Sequence, residues 1–160
     1  MAKYRVAGYV KLAKLWERSR DKAVSYHNQY YRDKFQSNVE MDLYGVYIDI
    51  TGQKNIKKRP EMVHLIHDCL DGKVNCIAVQ TRAYLAADNE EFFYLIHLLL
   101  NMSPPVHIVT EDDNYKIDTI RNEENQVEAL KKMALDFVSM NQDGYNAWKV
   151  EVLQADYKKI

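Results

Sequence analysis

Apolar and polar positions alternate along the chain between short strand-like runs and longer stretches with helical spacing. The run at 4–14, YRVAGYVKLAK, is apolar over most of its length and rich in valine and tyrosine. A continuous apolar run of this kind predicts a strand buried on both faces, as at the middle of a parallel sheet. The same reading predicts strands at 41–51, 74–79 and 106–110, and helices at 21–36, 61–70, 92–100, 123–142 and 145–157.

Residues with strong positional preferences support these element boundaries. Pro60 suits the first turn of a helix, and Gly72 suits the position after a helix ends. Asp88 followed by Glu91 forms a capping-box pattern that predicts the start of the third helix. The Asp-Gly pair at 143–144 predicts a turn or kink that separates the last two helices.

The order of the elements, β-α-β-α-β-α-β-α, predicts an α/β fold in three layers. Strands that alternate with helices of this length favour right-handed crossovers and a mostly parallel sheet of four to five strands, with helices on both faces. The expected strand order is 2-1-3-4, the flavodoxin-like arrangement, with a long helix near the carboxyl end. We expect one domain at 1–142, which includes the start of the long helix, and a helical extension at 143–160.

Composition excludes several classes of protein. The chain has 160 residues, 47% of them apolar, and a net charge of −1. These values are typical of a globular domain and give the whole molecule no general attraction for nucleic acid or membrane. No apolar run reaches the length of a membrane span, the amino terminus does not read as a signal peptide, and two cysteines without a CxxC spacing favour reduced thiols. We therefore expect a cytoplasmic protein with no membrane contact.

Common catalytic and cofactor signatures are missing from the sequence. There is no GxGxxG after the first strand, no GxxxxGK[ST] and no GxSxG, which counts against nucleotide-binding and hydrolase readings of the fold. His64 and His67, with Cys69 nearby, have the only spacing that could suggest a metal. A third ligand is not close in sequence, so we expect no metal and no cofactor.

The predicted topology brings basic residues to one edge of the sheet. The carboxyl ends of parallel strands open at the same edge, where ligands bind in such folds. The loops after the first three strands would place there six cations suited to phosphate oxygens, Lys11, Lys14, Lys57, Lys58, Arg59 and Arg82. Lys54 lies on the second of these loops. The alternative is that these side chains are simply solvated.

The helix at 123–142 carries an apolar stripe that Met133 and Met140 widen. Methionine suits an adaptable contact surface. The stripe predicts either burial within the chain or a homo-oligomer that forms through this helix, as in a dimer.

Several stretches together resemble the amino-terminal catalytic domain of serine site-specific recombinases, the resolvase and invertase family. The resemblance runs from about residue 4 to residue 137, and each motif alone is weak. The resemblance depends on the order and spacing of six motifs. They are YRVAGYVKLAK, SYHNQ at 25–29, the D-x-x-x-S/T-G-like strand end at 48–52, Arg59-Pro60, the D-x-x-x-G-K pattern at 68–73 and the strand at 77–79.

The resemblance implies DNA cleavage and exchange through a phosphoserine link, but this chain lacks parts of that chemistry. The nucleophilic serine position is occupied by Ala13, and a methyl group cannot attack phosphorus. Lys11 replaces an arginine and so loses the bidentate fork. The family's D-R-x-x-R after the third strand aligns with Ala83, Tyr84 and Ala87, so that Arg59 alone remains in register, with Arg82 nearby.

The resemblance therefore predicts a catalytically inactive relative of enzymes found in DNA recombination and mobile genetic elements. Its expected roles are weak DNA binding, self-association or contact with an active recombinase. One alternative is a small-molecule phosphate or nucleotide enzyme that uses the same sheet edge, with Asp49, Thr51 and Tyr84 as its candidate groups. The other is a protein-interaction module without DNA binding.

Overall fold

A computed structural model of the protein describes residues 3–112 and 116–157. The strands are β1 (Tyr4–Leu12), β2 (Met41–Ile50), β3 (Cys76–Val79) and β4 (His107–Thr110). The helices are α1 (Arg20–Phe35), α2 (Pro60–Leu70), α3 (Asn89–Leu100), α4 (Gln126–Met140) and α5 (Gln142–Gln154). Short 3-10 turns lie at Lys14–Ser19, Ile56–Lys58, Arg82–Tyr84 and Glu123–Asn125.

The four strands form one parallel sheet in the order β2-β1-β3-β4. This confirms the predicted fold class and strand order. β1 pairs along its whole length with β2 and, over Val6 to Tyr9, with β3. It is therefore the central strand, and its apolar residues are buried because both of its edges and both of its faces are covered.

One face of the sheet carries the larger part of the core. Ala7 and Tyr9 of β1 face this side, where Ile66 of α2 and Leu95 of α3 are fully buried. Val152 of α5 belongs to the same buried cluster. Three helices thus cover this face, and α5 packs into the same core as α2 and α3.

The opposite face is covered mainly by α1. Alternate residues of β1, Val6 and Val10, pack there with Tyr31 and Phe35 of the helix. Tyr31 lies so close to Gly8 that a Cβ on that glycine would be 2.8 Å from the tyrosine ring. Gly8 therefore sets how near α1 can approach the sheet.

The predicted helix boundaries at 60, 72 and 88 are confirmed. Pro60 is the first residue of α2, and Gly72 after that helix has a φ of 77°. The side chain of Asp88 accepts a hydrogen bond of 2.9 Å from the backbone N–H of Glu91 at the start of α3. Each residue occupies the backbone position for which its chemistry is suited.

The Asp-Gly pair at 143–144 does not form the predicted turn. The chain breaks shortly before it, at Asn141 (φ −131°, ψ 40°), and Gly144 lies inside the first turn of α5. A Cβ at Gly144 would be 2.6 Å from the hydroxyl oxygen of Tyr94. The glycine is therefore needed for close packing of α5 on α3 rather than for a kink.

Helix α4 packs through one side only. Ala134 and Val138 are buried, whereas Met133, Leu135 and Met140 are 53%, 53% and 77% exposed. The predicted stripe thus packs inside the chain and still leaves apolar side chains at the surface. Within the described residues, no helix is long and apolar enough to cross a membrane.

Candidate functional site

The carboxyl ends of β1, β2 and β3 lie side by side, and three loops leave the sheet there. These loops and the end of β1 carry all the cations for which a phosphate role was predicted. The structure does not bring the six together as one patch. Some of them line a cleft, and the others point to neighbouring helices or to solvent.

A small cleft lies at the end of β1, and we call it the lysine cleft. Its volume is about 200 Å³. Its lining residues are Lys11, Lys54, Arg59, Ala83, Ala86 and Ala87. Three cations thus surround a space whose remaining wall is alanine, and no lining residue carries a hydroxyl, thiol, imidazole or carboxyl group.

Lys11 is the most perturbed of these cations. Burial lowers the pKa of its amine, and the positive charges of Arg59 and Lys54 lower the pKa further, while Asp49 partly offsets them. Positive charge in the lysine cleft is therefore only partly compensated by the protein. An anionic oxygen in the cleft would relieve this repulsion.

Arg59 lies at the back of the lysine cleft and is fully buried. Its Nη1 donates to the hydroxyl of Tyr9 (3.1 Å) and to the carbonyl of Tyr84 (2.6 Å), and its Nη2 donates to the carbonyl of Leu85 (3.2 Å). Its Nε is buried and has no partner among the described residues. Arg59 thus holds the loop after β3 in place, while its Nε makes no hydrogen bond to the described residues.

Asp49 connects this arginine to the start of α2. Its carboxylate accepts from the hydroxyl of Tyr9 (2.8 Å) and from the backbone N–H groups of Glu61 and Met62, both at 3.0 Å. Burial raises the pKa of Tyr9, so its hydroxyl stays protonated and donates. Asp49 is 5% exposed and serves as the cap of a helix amino terminus, an arrangement that favours a carboxylate.

Glu91 holds the two outer loops of the lysine cleft in place. Its buried carboxylate accepts from the backbone N–H groups of Ala87 (2.9 Å) and Ile56 (3.2 Å) and from the indole of Trp148 (2.9 Å). The sequence predicted Glu91 only as a capping residue. Ile56 and Trp148 lie 35 and 57 residues away, and no local pattern reports such partners.

The other predicted cations lie outside the lysine cleft. Lys57 forms an ion pair with Glu151 of α5 at 2.8 Å. The guanidinium of Arg82 lies 4.0 Å from the ring centroid of Phe92. Lys14 and Lys58 are exposed at the surface. A phosphate role for these four remains a prediction.

The residues that the resemblance assigned to an active site, Ala13, Ala83, Tyr84 and Ala87, are placed as follows. Ala13 is exposed directly after β1, and its carbonyl accepts from the N–H of Trp16 at 2.9 Å. Ala83 and Ala87 form part of the cleft wall, and Tyr84 contributes its carbonyl to Arg59. Burial raises the pKa of the Tyr84 hydroxyl, with a smaller contribution from Asp112.

The groups named for a small-molecule enzyme do not form an acid–base pair. Asp49 is engaged by three donors. The hydroxyl of Thr51 accepts from the N–H of Gln53 at 3.0 Å, which closes a local turn.

The two histidines with metal-like spacing have partners within the protein. His64 Nε2 lies 3.3 Å from Asp68, and His67 Nε2 lies 3.1 Å from the carbonyl oxygen of Leu153. Residues 3–112 and 116–157 contain no group of three side chains that could hold a metal ion. The thiols of Cys69 and Cys76 are free and buried, and burial raises the pKa of both.

Comparison with known proteins gives matches among solved structures alone. No family model and no curated protein sequence matches the chain. The N-terminal catalytic domain of TP901-1 integrase superposes with a TM-score of 0.58 and 12% identity, over 87% of this chain and 97% of that domain. The C-terminal catalytic domain of ISC1926 TnpA, an IS607-like serine recombinase, superposes with a TM-score of 0.53 and 15% identity, over 85% of this chain and 84% of that domain. This chain therefore has the fold of a serine recombinase catalytic domain.

Proposed function

We propose that this protein binds DNA through backbone phosphates at the lysine cleft and does not cleave it. The observation that carries the proposal is the composition of the cleft. Lys11, Lys54 and Arg59 converge on it, and its lining contains no hydroxyl to attack phosphorus. Cations bind phosphate oxygens without chemistry, whereas a phosphoserine link requires a serine.

The buried Arg59 strengthens the argument for an anion. Its Nε is an N–H donor that lacks a partner among the described residues. A buried donor without a partner is unfavourable, and an anion in the cleft that Arg59 lines would stabilise the charge of its guanidinium. The lowered pKa of Lys11 points the same way, because an anion in the cleft would favour the charged amine.

A salt-titrated binding measurement on duplex DNA tests the binding step. The Lys11→Glu/Lys54→Glu variant should bind more weakly than wild type, and its affinity should depend less steeply on salt, by about one unit of slope for each phosphate that the variant no longer neutralises. The Lys3→Glu/Lys73→Glu variant is the matched control, since these lysines flank the opposite, amino-terminal edge of the sheet. Equal affinity of wild type and the cleft variant would refute the proposal.

A covalent-adduct assay on supercoiled plasmid DNA tests the absence of cleavage. Wild type should give no DNA linked to protein on a denaturing gel. An Ala13→Ser variant should be assayed beside it, because this substitution restores only the hydroxyl. An adduct in the wild-type lane would disprove the non-cleaving role.

Self-association through α4 is a second candidate role, and one observation favours it. Met133 and Met140 lie seven positions apart on one side of the helix and are 53% and 77% exposed, so they leave an apolar surface there. Surfaces of this kind often mark protein contacts. Analytical ultracentrifugation over a range of protein concentrations should show a dimer that Met133→Glu weakens; a monomer throughout would remove this role. The same surface could receive an active recombinase, which pull-down with a purified recombinase would test.

A further inference from the structure

A second cleft lies on the other face of the sheet, also beside the end of β1. Its volume is about 340 Å³, and we call it the aromatic cleft. Its lining residues are Leu12, Trp16, Lys22, Ala23, Tyr26 and His27. Leu12 directly follows Lys11 in β1, and successive strand residues point to opposite faces. The lysine cleft and the aromatic cleft therefore flank the same strand end.

Two large rings in this cleft are left open to solvent. Trp16 is 50% exposed and Tyr26 is 63% exposed. The chain's other tryptophan, Trp148, is partly buried and donates its indole N–H to Glu91. Exposed aromatic surface that borders an apolar cleft is typical of a recognition site.

Positive charge surrounds the aromatic cleft. The stretch from Lys11 to Lys22 carries five basic and two acidic side chains in a protein whose net charge is −1. One of the acidic residues, Glu17, is paired with Arg20. Lys14, Arg18 and Lys22 have no ion pair with any described carboxylate. This excess complements a polyanion rather than a neutral or basic protein surface.

His27 also lines the aromatic cleft, and its ring lies edge-on to the ring of Tyr26, with centroids 5.0 Å apart. Nδ1 of His27 is buried and makes no hydrogen bond to the described residues. Burial lowers the pKa of His27, so the ring is neutral near pH 7. A neutral imidazole beside Tyr26 adds a ring to the wall of the cleft without adding charge.

We propose that the aromatic cleft binds unpaired bases of single-stranded nucleic acid, which stack on Trp16 and Tyr26 while phosphates contact the surrounding cations. This inference rests on the proposed function and specifies the form of its ligand. Exposed rings next to cations are the usual way to bind a single strand without reading its sequence. Bases inside a duplex already stack on their neighbours and are not available to the rings.

Fluorescence anisotropy with two labelled single strands tests the inference. One strand is oligothymidylate of about 12 nucleotides, within the usual site size, and the other has the same length and charge but no bases. The wild type should bind the thymidylate strand more tightly. The Trp16→Ala/Tyr26→Ala variant should lose at least about 30-fold in affinity for thymidylate and leave the affinity for the abasic strand unchanged.

The matched control is Tyr44→Ala, which removes an exposed tyrosine on β2 (47% exposed), well before the carboxyl end of that strand. It should bind both strands as wild type does. Circular dichroism of each variant confirms that the fold is retained. Quenching of tryptophan fluorescence by thymidylate, absent with the abasic strand, should report Trp16 directly.

The outcomes separate this inference from the proposed function. Equal affinity for thymidylate and abasic strands, or no effect of the double variant, would overturn base stacking and leave duplex binding at the lysine cleft intact. Loss of self-association in the double variant, with no binding of either strand by wild type, would instead identify a protein contact and overturn the inference. If only the Lys11→Glu/Lys54→Glu variant behaves as wild type does, duplex binding at the lysine cleft is refuted and base stacking in the aromatic cleft is retained.

Discussion

The two faces of the sheet are covered unequally, and the difference is related to where ligands can bind. The face under α2, α3 and α5 holds the large core cluster, in which Leu65, Ile66 and Leu95 are fully buried. The face under α1 holds a smaller cluster around Val6, Val10 and Tyr31. At the end of β1 the first face borders the lysine cleft, whereas the second borders the aromatic cleft.

The polar groups of the two faces also differ in how many hydrogen-bond or ion-pair partners they have. On the thickly covered face, buried carboxylates of Asp49 and Glu91 hold the loops that form the lysine cleft. Because these groups are enclosed and hydrogen-bonded, the cleft has a defined shape. On the thinly covered face, apolar rings reach solvent and cations lack partners among the described carboxylates, so that surface gains most from an external ligand. Substitutions of buried residues on either face should therefore cost stability, and substitutions that line either cleft should cost binding.

The largest loss of stability is expected from Leu95→Ala. The substitution leaves a cavity between α3 and the sheet and should lower the free energy of unfolding by about 2–5 kcal/mol. Urea denaturation followed by circular dichroism measures this. Leu135→Ala on the outside of α4 is the control and should stay within about 0.5 kcal/mol of wild type. Equal losses in the two variants would contradict the description of the core.

Asp49→Ala should have the next largest effect. It removes the acceptor for Tyr9 and for two N–H groups of α2, and bonds to a charged acceptor contribute about 1.5–3 kcal/mol. Asp42→Ala changes an exposed aspartate on the same strand and should be close to neutral. If chemical denaturation gives the two variants the same free energy of unfolding, the hydrogen bonds of Asp49 do not stabilise this face.

Gly8→Ala tests the approach of α1 to the thinly covered face. The new methyl group would meet the Tyr31 ring at 2.8 Å, and overpacking of this kind costs about 1–3 kcal/mol. The control is Gly45→Ala in β2, where a Cβ would meet one tyrosine atom at 3.9 Å, an ordinary contact. A Gly8→Ala variant as stable as the Gly45→Ala variant would show that α1 can move away without cost.

The smallest effect on stability is expected from Trp16→Ala. Half of this side chain is already in solvent, so the free energy of unfolding should change by no more than about 0.5 kcal/mol. Trp148→Ala should cost more than about 1 kcal/mol, because it also leaves buried Glu91 short of a donor. Thermal and urea unfolding of both variants decide the point. A large loss for Trp16→Ala would mean that its ring supports the fold.

Much of the fold could be predicted from local patterns. The alternation of strand and helix patterns indicated the element order, and Pro60, Gly72 and Asp88 marked boundaries that the structure confirms. These residues act through their own backbone geometry, so their neighbours in sequence suffice to interpret them. The prediction for Gly144 was wrong because a glycine is required there by close contact with the Tyr94 hydroxyl, 50 positions earlier in the chain.

The site was predicted less completely. The sequence correctly predicted that Lys11 and Arg59 lie at the carboxyl-terminal edge of the sheet, because the carboxyl ends of parallel strands lie together. It could not show that Lys57 turns to Glu151, that Arg82 lies over Phe92, or that Lys54 lines the lysine cleft. Each of these depends on the direction of a side chain in three dimensions, which the residue types alone do not determine.

The position of β1 in the sheet has a consequence for how the protein is made. A ribosome synthesises this strand before either of its neighbours, and β2 and β3 begin 37 and 72 residues after its first residue, at Met41 and Cys76. This largely apolar strand therefore leaves the exit tunnel with both edges unpaired, a state that favours association with other chains. A nascent chain stopped between α1 and β2 should accordingly be a good substrate for ribosome-bound chaperones.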